Sequence, residues 1–312
     1  MTHHAWYPVA ECNGDCLRPP RTAAGRLRTV MRVVRLLAVA LMLAALAPVA
    51  WRVAPQRRHR LAAWSSRLIL SALGVTVVVD DRRFGDRPEQ VDPRLPVGGL
   101  IVANHVSFLD ILAIATVAPA RFVAKSEVLQ MPGFGALARR VGVIGIRRAS
   151  LRELPATVDR VADALRAGGA VAVFPEGTTW CGADRGRFRP AFFSAAHAAG
   201  SPIMPITLTF AEDDGHHCPA AAFIGDDSPV DTLRRIIAVR AMTITVTAHP
   251  VHLPTPDRRA DARAAEAVVL GRDHRSDSIG AQRDCPSTAV PVPDRFTRIR
   301  TPATASPASP WP

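Results

Sequence analysis

Short apolar runs rich in β-branched residues recur through the middle of the chain and predict strands. Stretches with helical periodicity separate several of them, and the clearest of these runs from Leu154 to Arg166. Ser150 and Glu153 have the spacing of a capping box before that helix, and Pro155 suits its first turn. The strand candidates are VTVVVD, GLIVAN, RFVAK, VGVIGI, AVAVFP, IMPITLTF and MTITVTAH, which lie between Val75 and His249.

Near-continuous apolar strands that alternate with helices indicate an α/β domain. The expected fold is a mostly covered mixed β-sheet with flanking helices, preceded by a membrane-associated helical hairpin. Sheets of this kind bind ligands beyond the carboxyl ends of their strands. We therefore look for functional residues directly after the predicted strands.

The N-terminal third contains an uninterrupted apolar run, Leu36 to Ala50, which is shorter than the ~20 residues of a comfortable membrane span. Arginines stand on both sides of it, which favours a segment that dips into one leaflet over one that crosses. The next stretch, Leu61 to Gly74, has apolar residues at helical spacing, with Trp64 and Arg67 as interface anchors. These two pieces predict a helical hairpin in the membrane interface. The alternative is a buried helix pair in a soluble core.

These patterns divide the chain into four parts. We expect residues 1–28 to form a basic N-terminal tail, residues 29–74 the membrane-interface hairpin and residues 75–254 the α/β domain. Residues 255–312 are rich in Pro, Arg, Asp, Ser and Thr, so we expect a largely disordered tail there.

The chain carries a formal net charge of +12, mostly from arginine, which suits an anionic membrane surface, anionic small molecules or nucleic acid. The base composition of a genome can also inflate the arginine content. No nucleic-acid-binding motif is present and aromatic residues are few, so we expect no nucleic-acid partner.

The chain has five cysteines, an odd number widely scattered along the sequence, which implies no disulfide framework. Cys12 and Cys16 lie near His3 and His4, which makes a zinc site conceivable. The spacing is loose, however, and no structured element frames it. We therefore predict no metal, and a disordered segment around these cysteines.

The first polar cluster follows a strand in IVANHVSFLDI. His105 and Asp110 are five residues apart, which on one regular helix would place them about 140° out of register. If they meet, His105 must lie in the loop and Asp110 in the first helical turn. The carboxylate would then hold the imidazole in one tautomer and leave its other nitrogen free to take a proton. The alternative is that Ser107 and Asp110 only cap the helix.

Two further clusters also follow strand candidates. VGVIGIRR brings Arg147 and Arg148 to a strand end, which suits an anion site. VAVFPEGTTWCG ends in Pro175 and a group of small and polar residues whose backbone N–H groups and hydroxyls can hold an anion. A tight turn with a helix cap is the alternative for this last cluster.

The three clusters together resemble the glycerolphosphate and lysophosphatidic acid acyltransferase family. The resemblance covers roughly Val75 to Leu253 and includes the linker KSEVLQMPGFG, residues 125–135. Its four blocks are NHVSFLD (104–110), GVIGIRR (142–148), FPEGT (174–178) and PIMPI (202–206).

The resemblance implies transfer of a fatty acyl group from acyl-CoA or acyl carrier protein to the hydroxyl of a lysolipid, first of all 1-acyl-sn-glycerol-3-phosphate. His105 would be the general base and Asp110 would hold its ring. No covalent enzyme intermediate, metal or other cofactor is implied. The enzyme would lie on the cytoplasmic face of the cell membrane, against anionic lipid, with its lipid acceptor, its acyl thioester donor and, as a further partner, acyl carrier protein. The residues expected to bind the acceptor are Asn104, Ser107, Arg148, Glu176, Gly177, Thr178 and Thr179.

The sequence departs from the family pattern at two places. The second block usually has a Phe and an acidic residue, where this chain has Gly145 and Arg147. The third block usually continues with an arginine, and here the residue is Thr179. The ending FPEGTT resembles the branch of the family that acylates lyso-ornithine lipid, whose head carries no phosphate, so a non-phosphorylated acceptor is an alternative. One of Arg185, Arg187 and Arg189 could replace the missing arginine. A non-enzymatic basic membrane-surface protein is the third interpretation.

Overall fold

The computed structural model describes residues 7–50, 55–83, 98–131 and 134–271. Its helices are α1 (Arg26–Ala50), α2 (Pro55–Leu73), α3 (Leu109–Val117), α4 (Phe134–Arg140), α5 (Leu154–Arg166), α6 (Phe193–Ala199), α7 (Pro229–Ala238) and α8 (Arg258–Leu270). Its strands are β1 (Val75–Asp81), β2 (Gly99–Ala103), β3 (Ala120–Lys125), β4 (Ile144–Ile146), β5 (Ala170–Val173), β6 (Ile203–Glu212) and β7 (Met242–Ala248).

The strands form one sheet in the order β1-β7-β6-β2-β5-β3-β4. The β6–β7 pair is antiparallel and the other pairs are parallel, so the sheet is mixed, as predicted. Side chains alternate between two cores along the central strands: Ile101 and Met204 pack into one core, and Leu100 and Ile203 into the other. Both faces of the sheet are therefore covered, which explains why these strands are apolar along their whole length.

The predicted strand VGVIGI is correct only in its second half. Strand β4 begins at Ile144, because the preceding residues close helix α4 instead. The N–H of Gly142 donates to the carbonyl of Arg139, and that of Val143 to the carbonyl of Ala138. Gly142 has φ +81°, the left-handed conformation that commonly ends a helix.

Helix α5 has the bounds that its periodicity predicts, but the capping box predicted before it is wrong. The Ser150 side chain makes no capping hydrogen bond, and residues 151–153 form a 3-10 turn. The Glu153 carboxylate instead pairs with Arg147 at 2.6 Å. A true capping box joins Ser228 and Asp231 at the start of α7.

Helix α1 begins ten residues upstream of the apolar run that predicted it. Its segment Arg26–Pro48 has a mean hydropathy of 2.2 and is long and apolar enough to cross a membrane, and only 6% of its most apolar window is buried. This exposure argues against a buried helix pair. The apolar side chains that α1 leaves exposed include a stripe at helical spacing, Leu27, Val30, Val34, Leu37 and Leu41.

The helices α1 and α2 contact each other, and α2 packs on α3 through its buried end. Arg32 anchors the start of α1, since it donates to the carbonyls of Ile237 at 3.0 Å and Arg240 at 2.9 Å. Gly74, directly after α2, makes room for this arginine: a Cβ there would lie 2.0 Å from its guanidinium.

The segment before α1 was expected to be a disordered tail, but from residue 7 onward it is ordered and packs on the domain. Its backbone pairs with the α/β domain, since Ala23 bridges Val239. The buried carboxylate of Glu212 accepts the N–H groups of Arg21 and Thr22 at 3.2 and 3.0 Å. These bonds connect residues about 190 positions apart, which no local pattern in the sequence could show.

The folded domain also extends past its predicted end at residue 254. Helix α8 packs against α6 and β6, with Ala262, Ala265 and Val269 buried. The buried Asp261 carboxylate accepts the N–H of Thr255 at 3.0 Å. The remainder of the predicted tail, residues 272–312, lies outside the described residues.

Candidate active site

The candidate site lies where the parallel strands β2, β5, β3 and β4 end. These four strands are neighbours and point the same way, so the residues after them meet at one edge of the sheet. His105 follows β2, Pro175 follows β5 and Arg148 follows β4. All three clusters that the sequence singled out are thus brought to one place.

His105 and Asp110 are in direct contact, with His105 Nδ1 2.7 Å from Asp110 Oδ2. His105 lies in the loop after β2 and Asp110 in the first turn of α3, the arrangement that their spacing requires for a contact. The same oxygen accepts the backbone N–H groups of Val106 at 2.6 Å and Ser107 at 2.9 Å. A carboxylate that accepts these donors also accepts the Nδ1 proton of the ring, which leaves Nε2 as the proton acceptor.

The His105 ring is also held from one face. The Phe174 ring stacks on it with centroids 4.0 Å apart and an angle of 10° between the planes. The N–H of Trp180 donates to the backbone carbonyl of His105 at 2.8 Å. No sequence signal indicated that Phe174 and Trp180 support the histidine, although both lie in the candidate cluster VAVFPEGTTWCG.

Glu176 was expected to bind substrate, but its carboxylate is buried, with 3% of the residue exposed. One oxygen accepts the N–H of His105 and the other the N–H of Gly186, each at 2.7 Å. Burial raises the pKa of Glu176 to about 8, and the two N–H donors offset part of that rise. Glu176 therefore joins the histidine loop to the loop after β5 instead of facing the cavity.

Asn104 and Ser107 are buried in the same way. The Asn104 side chain donates to the carbonyl of Leu208 at 2.9 Å and accepts its N–H at 2.7 Å. The Ser107 hydroxyl accepts the N–H of Leu109 at 3.2 Å, beside the start of α3. These expected substrate-binding residues fix the floor of the site.

A cavity of about 1630 Å³ opens beside the His105–Asp110 pair, called the dyad below. His105, Gly177, Thr178 and Thr179 lie in its wall, together with Arg148. The rest of the wall is mainly apolar. Much of it comes from the first three helices and from β3, with Ala40, Leu43, Leu61, Trp64, Ile69, Ile111, Leu112 and Phe122 among its members. The cavity therefore has a polar end at His105 and an apolar channel that runs along α1 and α2. Helix α1 also carries the exposed apolar stripe.

The charged side chains in the described part of the cavity wall are all cationic. Burial lowers the pKa of Arg148, and the charge of Glu127 and the nearby Tyr7 offset part of this effect. Burial, followed by the charge of Arg148, lowers the pKa of Lys125. Crowded cations of this kind are stabilised by a bound anion. The cations in the wall are Lys125, Arg140, Arg147, Arg148, Arg189 and Arg258.

Thr179 stands where the family usually has arginine, and its hydroxyl donates to the carbonyl of Phe223. Of the three arginines that could compensate, Arg189 lies in the cavity wall. Arg185 is directed elsewhere, because it donates to the carbonyl of Leu270 at 2.8 Å. Arg187 does not line this cavity.

The segment from Tyr7 to Cys12 also lines the cavity, which no sequence signal indicated. Pro8 lies against Gly177, where a Cβ would meet the proline ring at 3.0 Å. Gly177 has φ +79°, so both its conformation and this approach favour glycine.

A family model described as Acyltransferase matches residues 89–209. A 1-acyl-sn-glycerol-3-phosphate acyltransferase of Neisseria meningitidis serogroup B is 31% identical over 192 residues, which are 62% of this chain and 71% of that protein. A lyso-ornithine lipid O-acyltransferase of Pseudomonas aeruginosa is 34% identical over 254 residues, which cover 78% of this chain and 93% of that protein.

A solved structure shares the fold. It is the 1-acyl-sn-glycerophosphate acyltransferase PlsC from Thermotoga maritima, which is 17% identical, with a TM-score of 0.57 over 78% of this chain and 94% of that one. The comparisons overturn the interpretation of the chain as a non-enzymatic basic surface protein. The chain is an enzyme that belongs to the glycerolphosphate and lysophosphatidic acid acyltransferase family.

Proposed function

We propose that this enzyme moves a fatty acyl group from acyl-CoA or acyl carrier protein to the free hydroxyl of a lysolipid. The observation that carries the proposal is the His105–Asp110 pair at the polar end of a large, mainly apolar cavity. An apolar channel suits acyl chains, and a histidine with one free nitrogen suits deprotonation of a hydroxyl.

In the proposed reaction, His105 Nε2 takes the proton of the acceptor hydroxyl while Asp110 stabilises the charged ring through Nδ1. The acceptor oxygen attacks the thioester carbonyl carbon, and the C–S bond breaks as the tetrahedral intermediate collapses. The leaving thiolate then takes the proton from His105. The reaction proceeds without a covalent enzyme intermediate or a cofactor, since the thioester itself supplies the activated acyl group.

Roles for the remaining site residues follow from their positions. Arg148 and Arg189 bind the anionic head of the acceptor, and Gly177, Thr178 and Thr179 shape the wall beside it. Asn104, Ser107 and Glu176 position the loop that carries His105.

We propose 1-acyl-sn-glycerol-3-phosphate as the acceptor, which makes phosphatidic acid the product. The all-cationic set of charged residues in the described cavity wall supports a phosphomonoester head. The matched acyltransferase of Neisseria meningitidis serogroup B is named for the same acceptor.

Lyso-ornithine lipid is the second candidate acceptor. Thr179 favours it, and so does the Pseudomonas aeruginosa relative, of which this chain covers 93%. Its head carries a carboxylate and an ammonium group, however. The ammonium would be placed among cations in the described part of the cavity.

We also propose that the enzyme acts on the cytoplasmic face of the cell membrane, where acyl-CoA and acyl carrier protein are found. The exposed apolar stripe of α1 faces lipid, and the arginines near its start face anionic headgroups. The acyl chains then enter the cavity between α1 and α2 from the leaflet.

An acceptor panel tests the proposal. The full-length enzyme in detergent micelles receives labelled acyl-CoA with lysophosphatidic acid, lyso-ornithine lipid or an uncharged lysolipid. We expect phosphatidic acid as the main product, and Thr179→Arg should raise the preference for the phosphate acceptor severalfold. Exclusive acylation of lyso-ornithine lipid would replace the first acceptor by the second, and no acyl transfer to any acceptor would refute the reaction.

A further inference from the structure

Three thiols and one carboxylate meet beside the candidate active site. They belong to Cys12, Cys16, Cys181 and Asp184, and their four ligand atoms all lie within 4.8 Å of one another. Cys12 and Cys181 are buried, and Cys16 and Asp184 are half-buried. The dyad needs none of these side chains for its chemistry.

Two tight turns create this cluster. Residues 14–16 form a 3-10 turn in which the Asn13 side chain accepts the N–H of Asp15, and the turn places Cys16 beside Cys12. The second is a bend over residues 182–184, in which the N–H of Asp184 donates to Cys181 Sγ at 3.3 Å. The turns meet where the N–H of Cys181 donates to Cys12 Sγ at 3.4 Å. Backbone donors aimed at sulfur stabilise negative charge on it.

The arrangement fits a tetrahedral zinc site. Zinc–sulfur bonds of ~2.3 Å place tetrahedral sulfur ligands about 3.8 Å apart, so the cluster needs only a small contraction to bind zinc. Three thiolates and one carboxylate select zinc over magnesium or calcium, which prefer oxygen ligands throughout. When zinc binds, the three thiols lose their protons, and the ion offsets the charge of the resulting thiolates.

We propose that Cys12, Cys16, Cys181 and Asp184 bind one structural zinc ion. This proposal revises the sequence-based prediction of no metal. In the zinc site considered from the sequence, His3 and His4 accompanied Cys12 and Cys16, and both histidines lie outside the described residues. In the proposed site the other two ligands are Cys181 and Asp184, more than 160 positions further along the chain. All four tetrahedral positions are filled by protein, so the ion has a structural role.

The zinc ion clamps the N-terminal segment onto the loop that follows β5. The clamped segment, Tyr7 to Cys12, forms part of the cavity wall, and Pro8 lies against Gly177. Loss of the ion therefore releases one wall of the acceptor site and leaves the His105–Asp110 pair in place.

Metal analysis of the full-length enzyme, purified in detergent with its thiols reduced, tests the proposal. We expect about one zinc per chain by mass spectrometry of the elements, and less than about 0.1 in a Cys12→Ser/Cys16→Ser double variant. Cys218→Ser is the matched control: Cys218 is a buried cysteine outside the cluster, so this variant should keep its zinc.

Cobalt binding keeps the test decisive if the double variant fails to fold. Zinc-depleted wild-type enzyme should bind one equivalent of Co²⁺ and show the thiolate-to-cobalt charge-transfer absorption, which Asp184→Asn should shift or weaken. Wild-type enzyme that takes up neither metal would overturn the proposal. A disulfide between two of the cluster cysteines, found by peptide mapping before reduction, would overturn it equally. Neither readout depends on acyl transfer, so failure of the proposed reaction is detected separately.

Discussion

The residues of the family motifs fall into two groups that differ in what they contact. The wall group, which includes His105, Arg148, Thr178 and Thr179, faces the cavity. The floor group is buried and hydrogen-bonded to backbone, and it comprises Asn104, Ser107, Asp110 and Glu176. The two groups alternate within the same short stretches of sequence.

This difference shows why one motif contains both kinds of residue. A loop at the end of a buried strand has backbone N–H and C=O groups that must be paired inside the protein. The floor residues pair them and thereby hold His105 in one orientation. The wall residues face the cavity, where substrate would bind. Substitutions should therefore affect stability in the floor, and turnover or acceptor binding in the wall.

The largest effect is expected for His105→Ala. Loss of the proposed general base should lower kcat by about 10²–10⁴-fold in a protein that still folds, because the buried Asp110 carboxylate keeps its two backbone N–H donors. The measurement is acyl transfer under saturating acceptor, together with thermal unfolding. His197→Ala, an exposed histidine on α6, is the control and should keep full activity. Full activity of His105→Ala would falsify the proposed mechanism.

The floor is tested by Asn104→Ala. The change removes both hydrogen bonds to Leu208 and leaves a buried N–H and C=O unpaired, so unfolding should become easier by about 2–4 kcal/mol. Thermal or chemical unfolding in detergent measures this. Thr178→Ala, its counterpart in the wall, should change stability by less than about 0.5 kcal/mol. Equal losses of unfolding free energy in Asn104→Ala and Thr178→Ala would contradict the distinction between floor and wall.

The pH dependence of stability tests Glu176. Its pKa is about 8 in the folded protein and near 4.5 when unperturbed. The protonated carboxyl therefore contributes its full stabilisation of the folded state below pH 4.5. This stabilisation is lost as the pH rises toward 8, at up to about 1.4 kcal/mol per pH unit. Unfolding measured from pH 5 to pH 9 should show a slope that Glu176→Gln reduces. Glu153→Gln, an exposed ion-paired carboxylate, should keep the slope.

The smallest of these effects is expected at the wall cation Arg148. Replacing it by glutamine should raise the KM for an anionic acceptor about tenfold, with a smaller change in kcat, because the charge acts mainly in binding. Steady-state kinetics with varied acceptor measure this split. Arg152→Gln makes the same charge change at an exposed position outside the cavity and should leave KM unchanged. A large loss of kcat without a change in KM would move Arg148 from binding to catalysis.

Much of the fold can be predicted from the sequence because it depends on local patterns. Runs of β-branched residues identified the seven strands of the described residues, and periodicity identified α5 with its bounds. The five-residue spacing of His105 and Asp110 predicted that they can meet only if His105 lies in the loop and Asp110 in the first turn of the helix. The capping box predicted at Ser150 shows the limit of such patterns, because the Glu153 carboxylate forms an ion pair with Arg147 instead.

The sequence by itself determined the alternation of strands and helices, the apolar N-terminal segment and the order of the motifs. These features depend on neighbouring residues and on a side chain's own chemistry. Only the tertiary structure decided which motif residues face the cavity, since burial depends on the packing of distant elements. It also decided that residues 7–25 pack on the domain and that Cys12 meets Cys181. Those contacts join positions far apart along the chain, such as Ala23 with Val239 and Cys12 with Cys181, and no pattern along the chain records such pairs.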